Sequence, residues 1–320
     1  FEQGYLQLAD AYAMQRKIGM ARKTLDTGLR VAPANRELLM ASYRVCLTQK
    51  DYKQAEQHLL DLVEKYPQAI DAQATLGDFY LALNDESAAR REYSEIVLKS
   101  PRSAVGHVKL ARLYARQGET DSAAAQLQKG LGLVEDNQAL TAELVTVWLS
   151  AERFDDALAL CDKRLEADPE EAFAYYLKGR IFSRMKKYDA ARKAFEKAAE
   201  IEPLWPEAGN SLAAAYLLQD KKKEAIEHFA EALARNPKNP TATLVLGRLY
   251  EERKETDKAI KVYENGVAKV PGFWSAANRL AFLLADRATD VETLDRALKI
   301  ASAAYRMKPG QAAIIDTLGW

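Results

Sequence analysis

Apolar residues recur along the chain at helical spacing, and polar stretches separate them, which predicts amphipathic helices rather than strands. The helices come in pairs. In the first helix a mostly small column reads Ala9, Tyr43, Gly77, Ala111, Val145, Gly179, Ala213 and Gly247. Three residues on stands a large one: Tyr12, Cys46, Tyr80, Tyr114, Trp148, Phe182, Tyr216 or Tyr250. Leu8, Leu76, Leu110, Leu144, Leu212 and Leu246 precede the small column and complete an apolar stripe. The second helix carries Ala21, Ala55, Ala89, Ala123, Ala157, Ala191, Ala225 and Ala259. Each is followed four residues later by Leu25, Leu59, Tyr93, Leu127, Cys161, Phe195, Phe229 or Tyr263. Alanine in every copy implies two helices that approach too closely for a larger side chain.

Prolines 33, 67, 101, 169, 203, 237 and 271 recur every 34 residues, with Glu135 in the one vacant place. Each ends a second helix, since proline cannot continue one. Turns inside the pairs fall near Lys17, Asp51, Asp85, Glu119, Arg153, Lys187, Lys221 and Glu255. Such a period denotes stacked units that share one core. The units run at about 2–35, 36–69, 70–103, 104–137, 138–171, 172–205, 206–239 and 240–273. A ninth, 274–311, needs four extra residues, expected around Asp286–Asp290, to bring Leu280, Ala297, Ala304 and Pro309 into register. The start of a tenth occupies 312–320, and the whole chain, 1–320, reads as a single array.

The copy from Tyr175 to Pro203 holds Gly179, Phe182, Ala191, Phe195, Ala198 and Pro203 in register. These residues resemble the tetratricopeptide repeat, or TPR. The resemblance implies an all-α, right-handed superhelical solenoid of helix-turn-helix repeats whose first helices line a concave groove. Asn278–Ala285, the lengthened turn and Ile315–Trp320 look like the C-terminal repeats of bacterial TPR proteins. Among those are lipoproteins associated with exosortase and exopolysaccharide systems. That likeness implies a parent protein in the periplasm or tethered at the outer membrane.

Composition removes other function classes. The 46 Lys+Arg balance 46 Asp+Glu, so no overall charge draws the chain to nucleic acid or anionic membrane. No run of eighteen apolar residues offers a transmembrane segment. The sequence starts and stops inside helical patterns and reads as a fragment, so self-association through truncated ends is expected. Cys46 and Cys161 stand in apolar columns as packing residues, with no metal or disulfide spacing. His58, His107 and His228 lie in no H-E-x-x-H pattern and are expected on helix surfaces or packing edges. Gly130-Leu131-Gly132 falls inside a second helix, where Gly130 suits a helix crossing better than a phosphate loop. Lys221–Lys223 reads as a solvated turn. No residue is assigned to catalysis, to a cofactor or to a metal, and the chain reads as a binding protein, not an enzyme.

Function then rests on the groove face of the first helices. Its ninth repeat position reads Asp10, Arg44, Asp78, Arg112, Thr146, Arg180, Ala214, Arg248 and Phe282, with arginine in alternate repeats. Arg116 and Arg184 lie one turn beyond Arg112 and Arg180 on the same face. Tyr176, Asn210 and Asn278 at the fifth position add aromatic and amide groups. These nine residues, Arg44, Arg112, Arg116, Arg180, Arg184, Arg248, Tyr176, Asn210 and Asn278, form a candidate groove for an extended acidic protein or peptide, because the guanidinium fork takes carboxylates in two parallel hydrogen bonds. The alternative is that the arginines pair with carboxylates such as Asp78 and Glu143. No asparagine occupies the ninth position, so the carboxylate clamp of eukaryotic chaperone-binding TPR domains is not matched. The leading reading is a scaffold in a bacterial multi-protein assembly. The other is an accessory protein of exopolysaccharide secretion or protein sorting whose groove contacts an anionic polysaccharide.

Overall fold

The computed structural model describes residues 2–134 and 137–319. Glu135, the residue in the proline's vacant place, lies outside them, as does Trp320 in the tenth repeat. No strand occurs among the described residues, and nineteen helices do. The chain divides into two compact units, Phe1–Arg153 and Phe154–Trp320. In the first, α1 (Glu2–Met14) pairs with α2 (Ile18–Val31), α3 (Arg36–Thr48) with α4 (Tyr52–Lys65), α5 (Ile70–Ala82) with α6 (Glu86–Lys99), and α7 (Ala104–Arg116) with α8 (Thr120–Leu131). Helix α9 (Gln138–Ser150) follows. The second unit opens with α10 (Phe154–Ala167). Its pairs are α11 (Ala172–Arg184) with α12 (Tyr188–Ile201), α13 (Pro206–Leu217) with α14 (Lys222–Arg235), and α15 (Pro240–Glu252) with α16 (Thr256–Lys269). Helix α17 (Trp274–Asp286) pairs with α18 (Val291–Met307), and α19 (Ala312–Gly319) ends the chain.

All eight alanines of the second-helix column have 0% exposure. Across from them, the small column admits the residue that follows the alanine by four. An ideal Cβ on Gly77, Gly179 or Gly247 would overlap the ring of Tyr93, Phe195 or Tyr263. Ala9 and Ala111, which carry that Cβ, are matched by Leu25 and Leu127. In these five repeats size is therefore conserved in sum, as dense packing demands.

The turn inside each pair is equally regular. Arg16, Lys50, Asn84, Glu152, Lys186, Asp220 and Lys254 adopt left-handed φ of 56–62°, and Gly118 takes the same place at 79°. The next residue's N–H then donates back to the large-column carbonyl, as from Asp51 to Cys46 and from Lys187 to Phe182, both at 2.9 Å. This closes a helix end that would otherwise leave carbonyls unpaired. The ninth repeat corrects one expectation. Of its four extra residues, only one enters the turn, Arg287–Asp290 against Arg253–Glu255, and the other three lengthen α18 to 17 residues from the 14 of α16. The turn is also of a different kind: no residue of 287–290 takes a left-handed φ. Asp290, extended at φ −142°, accepts the Thr293 N–H at 2.8 Å, a cap that Asp51 and Asp85 also make in the shorter turns.

Within each unit, first helices touch later first helices, α5 with α7 and α7 with α9 in one, α13 with α15 and α17 with α19 in the other. Second helices make no comparable contact with one another among the described residues. Each stack therefore bends with the first helices on its inner, concave side.

Two outcomes follow from this packing. Gly179→Ala should destabilise by about 1–3 kcal/mol, because the new Cβ meets the Phe195 ring. Adding Phe195→Leu, the pairing used by Ala111 and Leu127, should recover part of that loss in a double-mutant cycle by urea unfolding; additive losses would contradict the pairing. At the turns, Lys186→Gly should stabilise by about 0.5–1 kcal/mol, relief of left-handed strain outweighing the entropy of glycine. Gly118→Ala, with nothing within 4 Å of its Cβ, should destabilise by about 1 kcal/mol through φ alone. Thermal melts of both variants measure this.

Candidate functional site

On the concave side of the first unit, charges close on one another across consecutive repeats. Asp78 on α5 accepts the Tyr93 hydroxyl at 2.6 Å and both of its oxygens take Lys109 Nζ of α7 at 2.6 Å. Arg112 on α7 grips Glu143 of α9 with both arms of its fork, Nε–Oε1 2.8 Å and Nη2–Oε2 2.7 Å. Each pair joins the ninth position of one repeat to the sixth of the next, 31 residues away. Arg116 pairs with Glu86 at 3.1 Å and donates to Asn84 at 3.2 Å. Arg44 is exposed beside Thr48 on α3, and the residue 31 positions beyond it is Thr75, which offers no charge.

The second unit is less closed. Arg184 and Arg248 are exposed, and neither has a carboxylate within 4 Å among the described residues. The residue 31 positions beyond Arg248 is Arg279, a like charge that turns instead to Glu251, to which Tyr263 also donates at 2.6 Å. Arg180 is half-buried and Asn210 exposed. Tyr176 packs its ring 4.7 Å from Trp205 and 5.8 Å from Phe195, so most of its face serves the core. Asn278 is buried, and its amide donates to the Ala313 carbonyl at 3.2 Å. It anchors α19 and does not face the groove surface.

The arrangement thus leaves Arg44, Arg184, Arg248 and Asn210 available to a ligand, and spends Arg112 and Arg116 on carboxylates already present. Sequence reasoning named Glu143 as a possible partner for the arginines but missed the 31-residue rule. The signal was there, in Asp78 answered by Lys109 and Arg112 by Glu143. Lys109 on the concave face of the first unit, and Glu251 and Arg279 on that of the second, were not singled out.

The other polar candidates are core groups. His107 is buried, not on an edge: its Nε2 donates to the Pro101 carbonyl at 2.8 Å, while Nδ1 lies 2.9 Å from the Gln126 amide. Burial raises both thiols above their ordinary range, Cys161 to about 12, which leaves them protonated and unreactive. Burial also lifts the Tyr216 hydroxyl to about 12, helped by its hydrogen bond to Glu196. Among the described residues no helix is long and apolar enough to cross a membrane.

Comparison with known proteins agrees with this architecture. Anaphase-promoting complex subunit 3 of Schizosaccharomyces pombe is 29% identical over 108 residues, 34% of this chain and 16% of that protein. Subunit cut9 of the same complex and organism is 23% identical over 253 residues, 65% of this chain and 38% of that protein. The photosystem I assembly protein Ycf3 of Prochlorococcus marinus is 26% identical over 125 residues, 34% of this chain and 72% of that protein. The chain spans well under half the length of the two yeast relatives. Among solved structures, a tetratricopeptide repeat protein from Parabacteroides merdae aligns with a TM-score of 0.45 at 15% identity, over 78% of this chain and 98% of that one. Two family models described as tetratricopeptide repeat match, one at residues 6–70, 108–172, 143–208 and 176–240, the other at 47–113 and 216–281. Those matches run through most of the chain, and with the repeated helix pairs they establish that it belongs to the tetratricopeptide-repeat family.

Proposed function

We propose that the chain is a non-catalytic scaffold that holds other proteins in a multi-protein assembly, most simply a bacterial one. Its chief contact, in this reading, is the concave face of the second unit, which takes an extended acidic segment. Family membership and the names of its relatives, subunits of a complex and an assembly protein, support the scaffold role. The observation that carries the second is that Arg184 and Arg248 stand exposed without carboxylate partners while neighbouring charges on the same kind of face are closed in pairs. They lie on α11 and α15, two repeats apart, roughly 20 Å at ordinary helix spacings. One compact anion cannot reach both, so the ligand is extended.

Binding of a fluorescent twelve-residue Glu-rich peptide, its Gln-rich analogue and an alginate oligomer tests this by anisotropy. The acidic peptide should bind, and added salt should weaken it. A charge-assisted hydrogen bond from each arginine contributes about 1.4 kcal/mol or more, so Arg184→Glu with Arg248→Glu should weaken binding by over tenfold. The control pair Lys261→Glu with Lys269→Glu, on second helix α16, makes the same change in net charge and should have a small effect. Equal losses in both pairs would reject a defined site. Preference for alginate, abolished in the arginine pair, would move the reading to the anionic polysaccharide.

A further inference from the structure

The concave charges of the first unit leave a gap between its first two repeats. Asp10 on α1 and Arg44 on α3 hold the same repeat position and are exposed, and neither has an ion-pair partner among the described residues. The residue 31 positions beyond Asp10 is Ala41, where later repeats place Lys109 and Glu143. The same alanine borders a pocket of about 140 Å³ between α1, α2 and α3, walled by Ala9, Ala13, Leu25 and Val45 and flanked by Asp10 and Arg44. An engineered apolar cavity of about 150 Å³ is large enough to bind benzene.

The next repeat shows what fills such a space. Ala9, Ala13 and Val45 hold places that Tyr43, Leu47 and Phe79 take one repeat on. There the two rings meet edge to face at 6.2 Å, and Leu47 packs against the core they border. The gains of repeat one, Arg44 and Thr48 against Asp78 and Ala82, lie on exposed side chains and do not restore that bulk. Ala9, Ala13 and Val45 all border the open volume, so no other side chain has moved in to fill it. Leucine is the usual residue at the place of Ala13. Leu47, Leu81, Leu149 and Leu217 hold it in repeats two, three, five and seven, and each packs into its core. The hollow is short of one aliphatic side chain.

We infer that this pocket seats a leucine-type side chain of an extended partner segment, with a cation two residues to one side of that leucine and a carboxylate two residues to the other. Successive first helices lie about 10 Å apart. An extended segment crossing them advances about 3.3 Å per residue and turns every second side chain to one face. The side chains two residues either side of the leucine therefore stand about 7 Å from it, within reach of the flanking charges. Asp10 takes the cation, and Arg44 takes the carboxylate in its fork. The second unit offers exposed arginines alone, whereas here opposite charges flank an apolar hollow. The inference thus goes beyond the acidic-ligand reading and does not rest on it.

The test is protein NMR with the peptide Lys-Ser-Leu-Ser-Glu, its ends blocked, and with three relatives: Lys-Ser-Ala-Ser-Glu, Lys-Ser-Leu-Ser-Lys and Glu-Ser-Leu-Ser-Glu. The first should bind with a Kd of about 0.1–1 mM and shift the amides of Ala13, Ala41 and Val45. The alanine peptide should bind about tenfold more weakly or worse, and each single-sign peptide about threefold more weakly or worse. Asp10→Lys should invert the charge preference, favouring Glu-Ser-Leu-Ser-Glu over the first peptide. Ala13→Leu supplies the residue of the next repeat; it should keep the helical spectrum and weaken the first peptide by about tenfold or more. Equal binding of the alanine peptide, an unchanged preference in Asp10→Lys, or undiminished binding in Ala13→Leu would each overturn the proposal. So would free leucine binding as tightly as the peptide, which would make the guest a small molecule. Shifts confined to α11 and α15 would place the peptide on the acidic-ligand face and reject this site while leaving that reading intact. If Ala13→Leu does not fold, the peptide series on the unaltered chain decides by itself.

Discussion

Close contact between two helices, enforced by an alanine with no room to be anything else, is the constraint from which the structure follows. The alanine fixes where the second helix crosses the first, and the crossing fixes which residue must face it four positions on. Where that residue is the ring of Tyr93, Phe195 or Tyr263, the first helix carries glycine to admit it. Burial of a continuous apolar surface supplies the driving force, but the alanine decides the geometry. Each unit inherits its bend from the same source, since first helices reach the next first helix while second helices do not.

Where the rule is relaxed, the fold changes locally rather than failing. Ala213 against Phe229 is a pair in which both partners are too large, and the helices of that repeat part. Gly209 of the same repeat leaves no void, because the Thr241 methyl occupies the place its Cβ would take. In a stack each repeat answers only to its neighbours.

The sequence showed the helices, their pairing, the period and the buried columns, because these depend on local spacing and on residue size. It misplaced what depends on the next repeat. Asn278 stands at a groove-facing position by count, yet its amide is used by the backbone of α19. For Arg112 the sequence offered both a ligand and pairing with carboxylates such as Glu143, and only the packing of the next repeat decides for Glu143, 31 residues on. His107 looked like an edge residue because nothing local tells a buried imidazole from an exposed one; its partners are the Pro101 carbonyl before the helix and Gln126 on the next. The extra residues of the ninth repeat were assigned to the turn because length alone does not say whether a turn or a helix grows.

The 31-residue ion pairs give the repeats individuality. Their backbones are nearly interchangeable, and recombination between such similar segments readily removes or duplicates one. Excising the repeat that bears Lys109 and Arg112 would seat Glu143 against Asp78, two carboxylates where each had an opposite charge. Duplicating it would set a second Lys109 against the first Arg112. Gain or loss of that unit would thus be opposed by charge as well as by the change of apolar neighbours.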